Sequence, residues 1–256
     1  MLTDTHVHLD LDEFAADLPE VLCRSQAVGV ARWIVPAIRS AHWPRLATLH
    51  GEQPSAFYAL GLHPWFVGDE SELALERLAQ LLRQRPTGLV AVGECGLDGA
   101  IEMPLAQQLP WFERQIQLAD ECNLPLIVHA RRCYNEVLAL LSRHRPRAGG
   151  VLHGFSGSRQ QAQQFWALGF YLGIGGTITY ERAQKTQRAV AGLPLEALLL
   201  ETDGPSMPLA GYQGERNEPA RLVEVLQQLA ALRQQPIGTL TAGLEANVER
   251  LFFAAP

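Results

Sequence analysis

Two imidazoles stand two positions apart near the start of the chain, in Asp4-Thr5-His6-Val7-His8-Leu9-Asp10. Strand side chains alternate with a period of two, so on a strand beginning near Leu2 the rings of His6 and His8 leave the same side and can reach one metal ion. By itself the pair is also what an ordinary core or surface histidine pair looks like. Its meaning depends on four further residues, each placed just after a short apolar run. Gly88-Leu89-Val90-Ala91-Val92-Gly93 leads into Glu94, and Leu124-Pro125-Leu126-Ile127-Val128 into His129. Gly150-Val151-Leu152 leads into His153, and Ala197-Leu198-Leu199-Leu200-Glu201-Thr202 into Asp203. A set that mixes imidazole with carboxylate suits zinc, manganese, iron or cobalt better than an all-oxygen magnesium site, although magnesium with retained waters stays open.

The apolar runs are too short for helices, rich in Val, Ile and Leu, and flanked by Gly or Pro. They read as strands buried on both faces, as in a parallel sheet. Arg32–Pro36, Ala56–Leu62 and Phe170–Ile174 are of the same kind, and with the first strand they bring the number to eight. Between them, helical periodicity covers 12–28, 40–50, 71–85, 105–122, 133–144, 158–168 and 181–191, with a closing pair at 218–234 and 237–253. Ser40, Ser71 and Ser158 are placed to cap helix N-termini, and Gly29, Gly169 and Gly192 stand where helices should stop. Regular alternation over a chain of this length predicts an α/β fold, one TIM (β/α)8 barrel spanning 1–256, since such barrels run to about 250 residues. All strand C-termini then open on one face, which brings together ligands scattered along the sequence. An open doubly wound sheet, the alternative, would gather fewer strand ends.

Nearly half the residues are hydrophobic and the formal charge is −6. That balance argues against a broad basic stripe for nucleic acid, but not against a phosphate substrate. Two divalent ions at the barrel mouth would create local positive charge, and Arg131, Arg132, Arg159, Arg182 and Lys185 fall near it. No apolar run is long enough to span a membrane and no secretory signal opens the chain, so a cytoplasmic protein without a membrane partner is expected. Cys23, Cys95, Cys122 and Cys133 form no C-x-x-C pair and read as free thiols, mostly packed, with Cys95 the one that oxidation would reach.

Several stretches together resemble the motif series of TatD-type metal-dependent deoxyribonucleases, and cover nearly the whole chain. They are Asp4–His8, Gly61-Leu62-His63-Pro64, Val92–Asp98, His129-Ala130-Arg131, His153–Ser158, Gly175–Tyr180, Glu201–Pro205 and Asn247–Phe252. His153-Gly154-Phe155-Ser156-Gly157-Ser158 and Gly175–Tyr180 are most similar to the YjjV-like branch. The resemblance implies a metallo-dependent hydrolase of the TIM-barrel type acting on DNA, in some members as an exonuclease on single strands. It places the metal ligands on His6, His8, Glu94, His129, His153 and Asp203. Glu94 is then the natural bridge between two ions, with His6, His8 and Asp203 on one side and His129 and His153 on the other. A single ion held by His6, His8 and Asp203 is the leaner reading. The chain departs from the family at Gly99–Pro104, where relatives tend to carry an aromatic or basic residue, and at Gly204.

The expected activity is phosphodiester hydrolysis by metal-activated water, with DNA, as single-stranded ends, for substrate and a monomer as the working form. Asp203 is the candidate to orient the water or take its proton, beside the bridging Glu94. His63 is placed to contact the phosphate or protonate the leaving oxygen. Arg131 is a phosphate contact, and Trp65, followed by Phe66, offers a face for a base. Asp4, Asp98 and Glu201 are candidate carboxylates that fix imidazole tautomers. Hydrolysis of a carboxylic ester, lactone or cyclic amide at the same centre is the enzymatic alternative, and a non-catalytic, metal-stabilised scaffold is the other. No strand-end lysine is available for carbamylation, which favours the first reading.

Overall fold

The computed structural model describes residues 1–254. In chain order the elements are β1 (Leu2–Asp4), α1 (Asp12–Ala15), α2 (Leu18–Ala27), β2 (Val30–Pro36), α3 (Trp43–Glu52), β3 (Ala56–Leu60), α4 (Glu72–Gln84), β4 (Leu89–Asp98), α5 (Leu105–Cys122), β5 (Leu126–Arg131), α6 (Tyr134–His144), β6 (Gly150–Leu152), α7 (Arg159–Ala167), β7 (Phe170–Ile174), α8 (Gln184–Gly192), β8 (Leu198–Leu200), α9 (Leu222–Arg233) and α10 (Ile237–Val248). The eight strands form one parallel sheet in the order β1 to β8. The ring closes without a regular ladder: Thr5 donates its N–H and its hydroxyl to the Leu200 carbonyl at 3.0 and 2.8 Å, and the Asp203 N–H donates to His6 O at 2.8 Å. This is the TIM barrel that the alternation predicts.

Inside the barrel one residue from each of seven strands builds an apolar floor: Ile34, Ala59, Ala91, Ile127, Val151, Tyr171 and Leu199, joined from below by Val248 and Phe252. A second, larger cluster fills the space between strands and helices, with Trp33, Val35, Val128 and Leu172 facing Phe14, Leu78, Ile116 and Phe165. Period-two alternation explains what stands above the floor. Two residues beyond Ile127, Val151 and Leu199 come His129, His153 and Glu201, all facing the mouth. Glu94 obeys a different count, because the β4–β5 register shifts between Val92 and Cys95 and rephases the strand. Gly96 (φ +140) is required there, since a Cβ would overlap the His129 carbonyl.

Several expectations are corrected. The helix expected over 12–28 is two helices, with Pro19 in the first turn of the second. Those expected from 40, 181 and 218 open with 3-10 turns, and the one expected over 237–253 ends in a π-turn at Glu249–Phe253. Ser158 caps α7 in a reciprocal box with Gln161. Ser71 takes the N-cap position of α4 without a side-chain bond, and Ser40 binds Glu70 instead of a helix end. Cys95, expected to be the thiol that oxidation reaches, is fully buried, and Cys23 is the exposed one. No helix among the described residues is long and apolar enough to cross a membrane.

Candidate metal centre

Glu94 stands at the centre of the mouth, and its two oxygens face different histidines. Oε2 lies 3.2 Å from His6 Nε2 and 3.5 Å from His8 Nε2. Oε1 lies 2.8 Å from His153 Nε2, 3.1 Å from His129 Nδ1 and 3.2 Å from His63 Nε2. Asp203 completes the first side, with Oδ1 3.6 Å from both His6 Nε2 and His8 Nε2. All six sequence-nominated ligands, from β1, β4, β5, β6 and β8 or the loops just past them, therefore meet around one carboxylate, and His63 joins them. His6 and His8 are not on β1, which ends at Asp4. They lie in the loop beyond it, with their Nε2 atoms brought to 3.2 Å.

The hydrogen bonds fix which ring nitrogens carry protons. His8 Nδ1 lies 3.1 Å from the Pro36 carbonyl, which can only accept, so Nδ1 keeps its proton and Nε2, aimed at Glu94 and Asp203, is the nitrogen free to give its proton up to a cation. His129 Nε2 donates to Asp98 at 3.2 Å, which leaves Nδ1 bare, 3.1 Å from His153 Nε2 as well as from Glu94. Lone pairs facing lone pairs and carboxylates repel unless a cation lies among them. The donor set therefore fits divalent metal. His63 differs: its Nδ1 accepts the Trp65 backbone N–H at 3.2 Å, so its proton sits on Nε2 and is donated to Glu94. That proton removes His63 from the ligands, although its position alone would group it with Glu94 and His129.

Ionisation follows the same lines. Burial opposes charge on His8 and His153, but Asp203 and Glu94 around the first and Glu94, Asp203 and Glu201 around the second outweigh it, carrying them up to about 9 and about 10. His6, deprived of water and next to His153, falls to about 4. Burial would raise Glu94, yet the surrounding imidazoles hold it well below its usual value. Protons here occupy the role that metal cations would fill.

The supporting carboxylates divide. Asp98 fixes His129, and its hydrogen bonds from His129 and Trp65 overcome burial to hold it at about 2. Asp4 touches no ring: it accepts from the Thr202 N–H at 3.0 Å and hydroxyl at 2.5 Å, tying the β1 and β8 loops together. Glu201, raised by burial to about 8, takes the Gly154 N–H and lies 3.9 Å from His153 Nδ1, too far to bond it. A cleft of about 580 Å³ opens beside the centre, lined by His153, Asp203, Tyr134, Arg131, Arg132 and Lys185. Arg159 packs beside Gly192 and Arg182 stacks on Tyr180, so neither lines it. The Pro36 carbonyl that orients His8 and the bond from Trp65 to Asp98 escaped sequence reasoning, since neither carries a motif.

The profile of the family described as TatD related DNase matches residues 3–253. A relative from Escherichia coli (strain K12), named "Uncharacterized metal-dependent hydrolase YjjV", is 42% identical over 250 residues, 97% of this chain and 96% of the relative. The crystal structure of YjjV from Escherichia coli K12, a TatD homologue, matches with a TM-score of 0.96 over 99% of this chain and 98% of that one. A protein of Edwardsiella piscicida named "3'-5' ssDNA/RNA exonuclease TatD" is 34% identical over 259 residues, 98% of this chain and 99% of the relative. Barrel, converging imidazoles and carboxylates, and sequence match agree, and the chain belongs to the TatD family of metal-dependent hydrolases.

Proposed function

We propose that the chain hydrolyses phosphodiester bonds of DNA at single-stranded ends. The observation that carries this reading is the division of Glu94 between two sets of imidazoles beside a cleft bearing Arg131, Arg132 and Lys185. His6, His8 and Asp203 would hold one divalent ion and His129 and His153 a second, with Glu94 between them. Bound there, zinc, manganese or magnesium supplies a water acidic enough to ionise near neutral pH and positive charge against the phosphoryl oxygens.

The chain's own residues do the rest. Asp203, held ionised by His8 and His6 despite burial, takes the proton of the attacking water. Glu94 stays anionic and keeps the two sets in register. His63 carries its proton on Nε2, the form that can be given to the leaving oxygen. Arg131, exposed at the end of β5, neutralises a substrate phosphate, and Trp65 presents its ring to a base. The relatives named as TatD exonucleases of single-stranded DNA and RNA support a nucleic-acid substrate. Hydrolysis of a carboxylic ester, lactone or cyclic amide at the same centre is the less favoured reading, because Lys185, the chain's only lysine, lies on α8 and Glu94 takes the place of a carbamylated strand-end lysine.

The test is an assay of metal-loaded protein, beside Glu94→Ala, on single-stranded DNA, RNA, a simple phosphodiester and a carboxyl ester. Metal-dependent phosphodiester cleavage, abolished by Glu94→Ala in a protein that still folds, is expected. Carboxyl-ester turnover without phosphodiester turnover would overturn the reading.

A further inference from the structure

Trp65 engages the centre twice. Its backbone N–H meets His63 Nδ1, and its indole N–H donates to Asp98 Oδ2 at 2.6 Å. The same Asp98 oxygen accepts from His129 Nε2 at 3.2 Å, while Oδ1 is taken by the Ala100 N–H at 2.7 Å. Asp98 is fully buried, so these protein groups and not solvent fix its carboxylate. Yet Trp65 itself is 53% exposed, edge-on to His63 with ring centres 5.3 Å apart and 86° between planes. An indole gains by burial. Here it is instead clamped with more than half its surface open to solvent beside the candidate metal centre, which is the form of a stacking platform for an unpaired base.

We propose, resting on the phosphodiester reading, that Trp65 selects an unpaired nucleobase next to the scissile phosphate and couples its seating to the orientation of His129 through Asp98. Trp65 is in this sense a positioning residue and a specificity determinant. A base inside a duplex is already stacked and paired, so the platform favours strand ends that are free. The phosphates on either side bring charge but no ring, and they gain nothing from Trp65.

The test compares a thymidylate decamer with an abasic decamer carrying the same number of phosphates, using wild type, Trp65→Ala and Trp65→Phe. In metal-loaded protein, wild type should favour the thymidylate strand about tenfold in KM, within the range of one base–aromatic stack. Trp65→Ala should abolish that preference by raising KM for thymidylate alone and, lacking the N–H as well, should lower kcat about tenfold on both strands. Trp65→Phe keeps a ring but lacks the N–H, so it should keep the preference and lower kcat about tenfold on both strands, as loss of a ligand-orienting contact does. Trp65→Ala shifting KM equally on both strands, or leaving the preference intact, would overturn the proposal. In metal-free protein, the fluorescence lost on changing Trp65 to Phe should be quenched by the thymidylate decamer and not by the abasic one. That arm needs no turnover: quenching without cleavage would sink the hydrolase reading and leave the platform standing, and no quenching would sink the platform.

Discussion

The Trp65 amide nitrogen lies 3.2 Å from His63 Nδ1, and because an amide only donates, His63 keeps its proton on Nε2, 3.2 Å from Glu94 Oε1. His63 is thereby set apart from the six candidate ligands around it: it keeps its Nε2 proton, where His8 and His129 would each turn a lone pair toward a bound cation. His63→Gln should lower kcat by about a hundredfold or more, the scale of a lost general acid, with metal content unchanged. Metal analysis alongside single-turnover rates decides it. Loss of bound metal with His63→Gln would show that the ring is a ligand after all.

Asp98→Asn tests the support beneath His129. A carboxylate can only accept from His129 Nε2, whereas an amide can present its NH2 and turn the ring's proton toward Glu94. Metal affinity or activity should fall by about 10- to 100-fold, the usual cost of losing a ligand-orienting partner. Competition with a chromogenic chelator measures the affinity. Unchanged affinity would mean that packing alone orients His129.

How far the sequence carried the site can be read from three residues. His129 and His153 were legible because alternation along a buried strand places them two residues above Ile127 and Val151. Glu94 was nominated for its position after an apolar run, but its inward direction depends on the register shift between Val92 and Cys95, and a backbone irregularity leaves no mark in a periodicity. His6 and His8 do converge, though not for the reason that strand alternation gives. They converge from a loop, with His8 held by the Pro36 carbonyl, and a carbonyl is the same in every residue. Strand order was readable for the opposite reason: short apolar runs bounded by Gly and Pro leave few other folds.

Metal loading should release protons. His8 at about 9 and His153 at about 10 are charged near pH 7.5 in the metal-free protein, since both were raised above the ordinary 6.5. A ligand must give up its proton, so apparent affinity should rise with pH, by up to about tenfold per unit for each proton displaced, and level off above about 10. The same shifts stabilise the metal-free fold: the contribution is fully present below pH 6.5 and is lost as pH rises through about 9 to 10. Metal-loaded protein should not show that loss. An indicator dye records the protons, and urea unfolding at pH 7 and 10 records the stability. Metal uptake with no proton release would show that the imidazoles are neutral before loading.

The apolar floor makes its own prediction, because geometry at the mouth is only as firm as the layer below. Ile127 is fully buried, belongs to the ring of inward residues, and lies two residues before His129 on β5. It also packs against Gly93, where a Cβ would come within 2.8 Å of the Ile127 side chain, so it supports the β4 segment that delivers Glu94. Ile127→Ala removes three carbons with no neighbour free to fill the space and should cost about 2–5 kcal/mol. Ile127→Val, which keeps branching at Cβ, should cost about 0.5–1.5 kcal/mol. If the floor holds the ligands in place, Ile127→Ala should weaken metal binding even where the protein remains fully folded, and Ile127→Val should not. Urea midpoints and chelator competition at low temperature measure the two effects separately. A destabilised Ile127→Ala that binds metal as tightly as wild type would show that the mouth is held by its own hydrogen bonds, independent of the core beneath it.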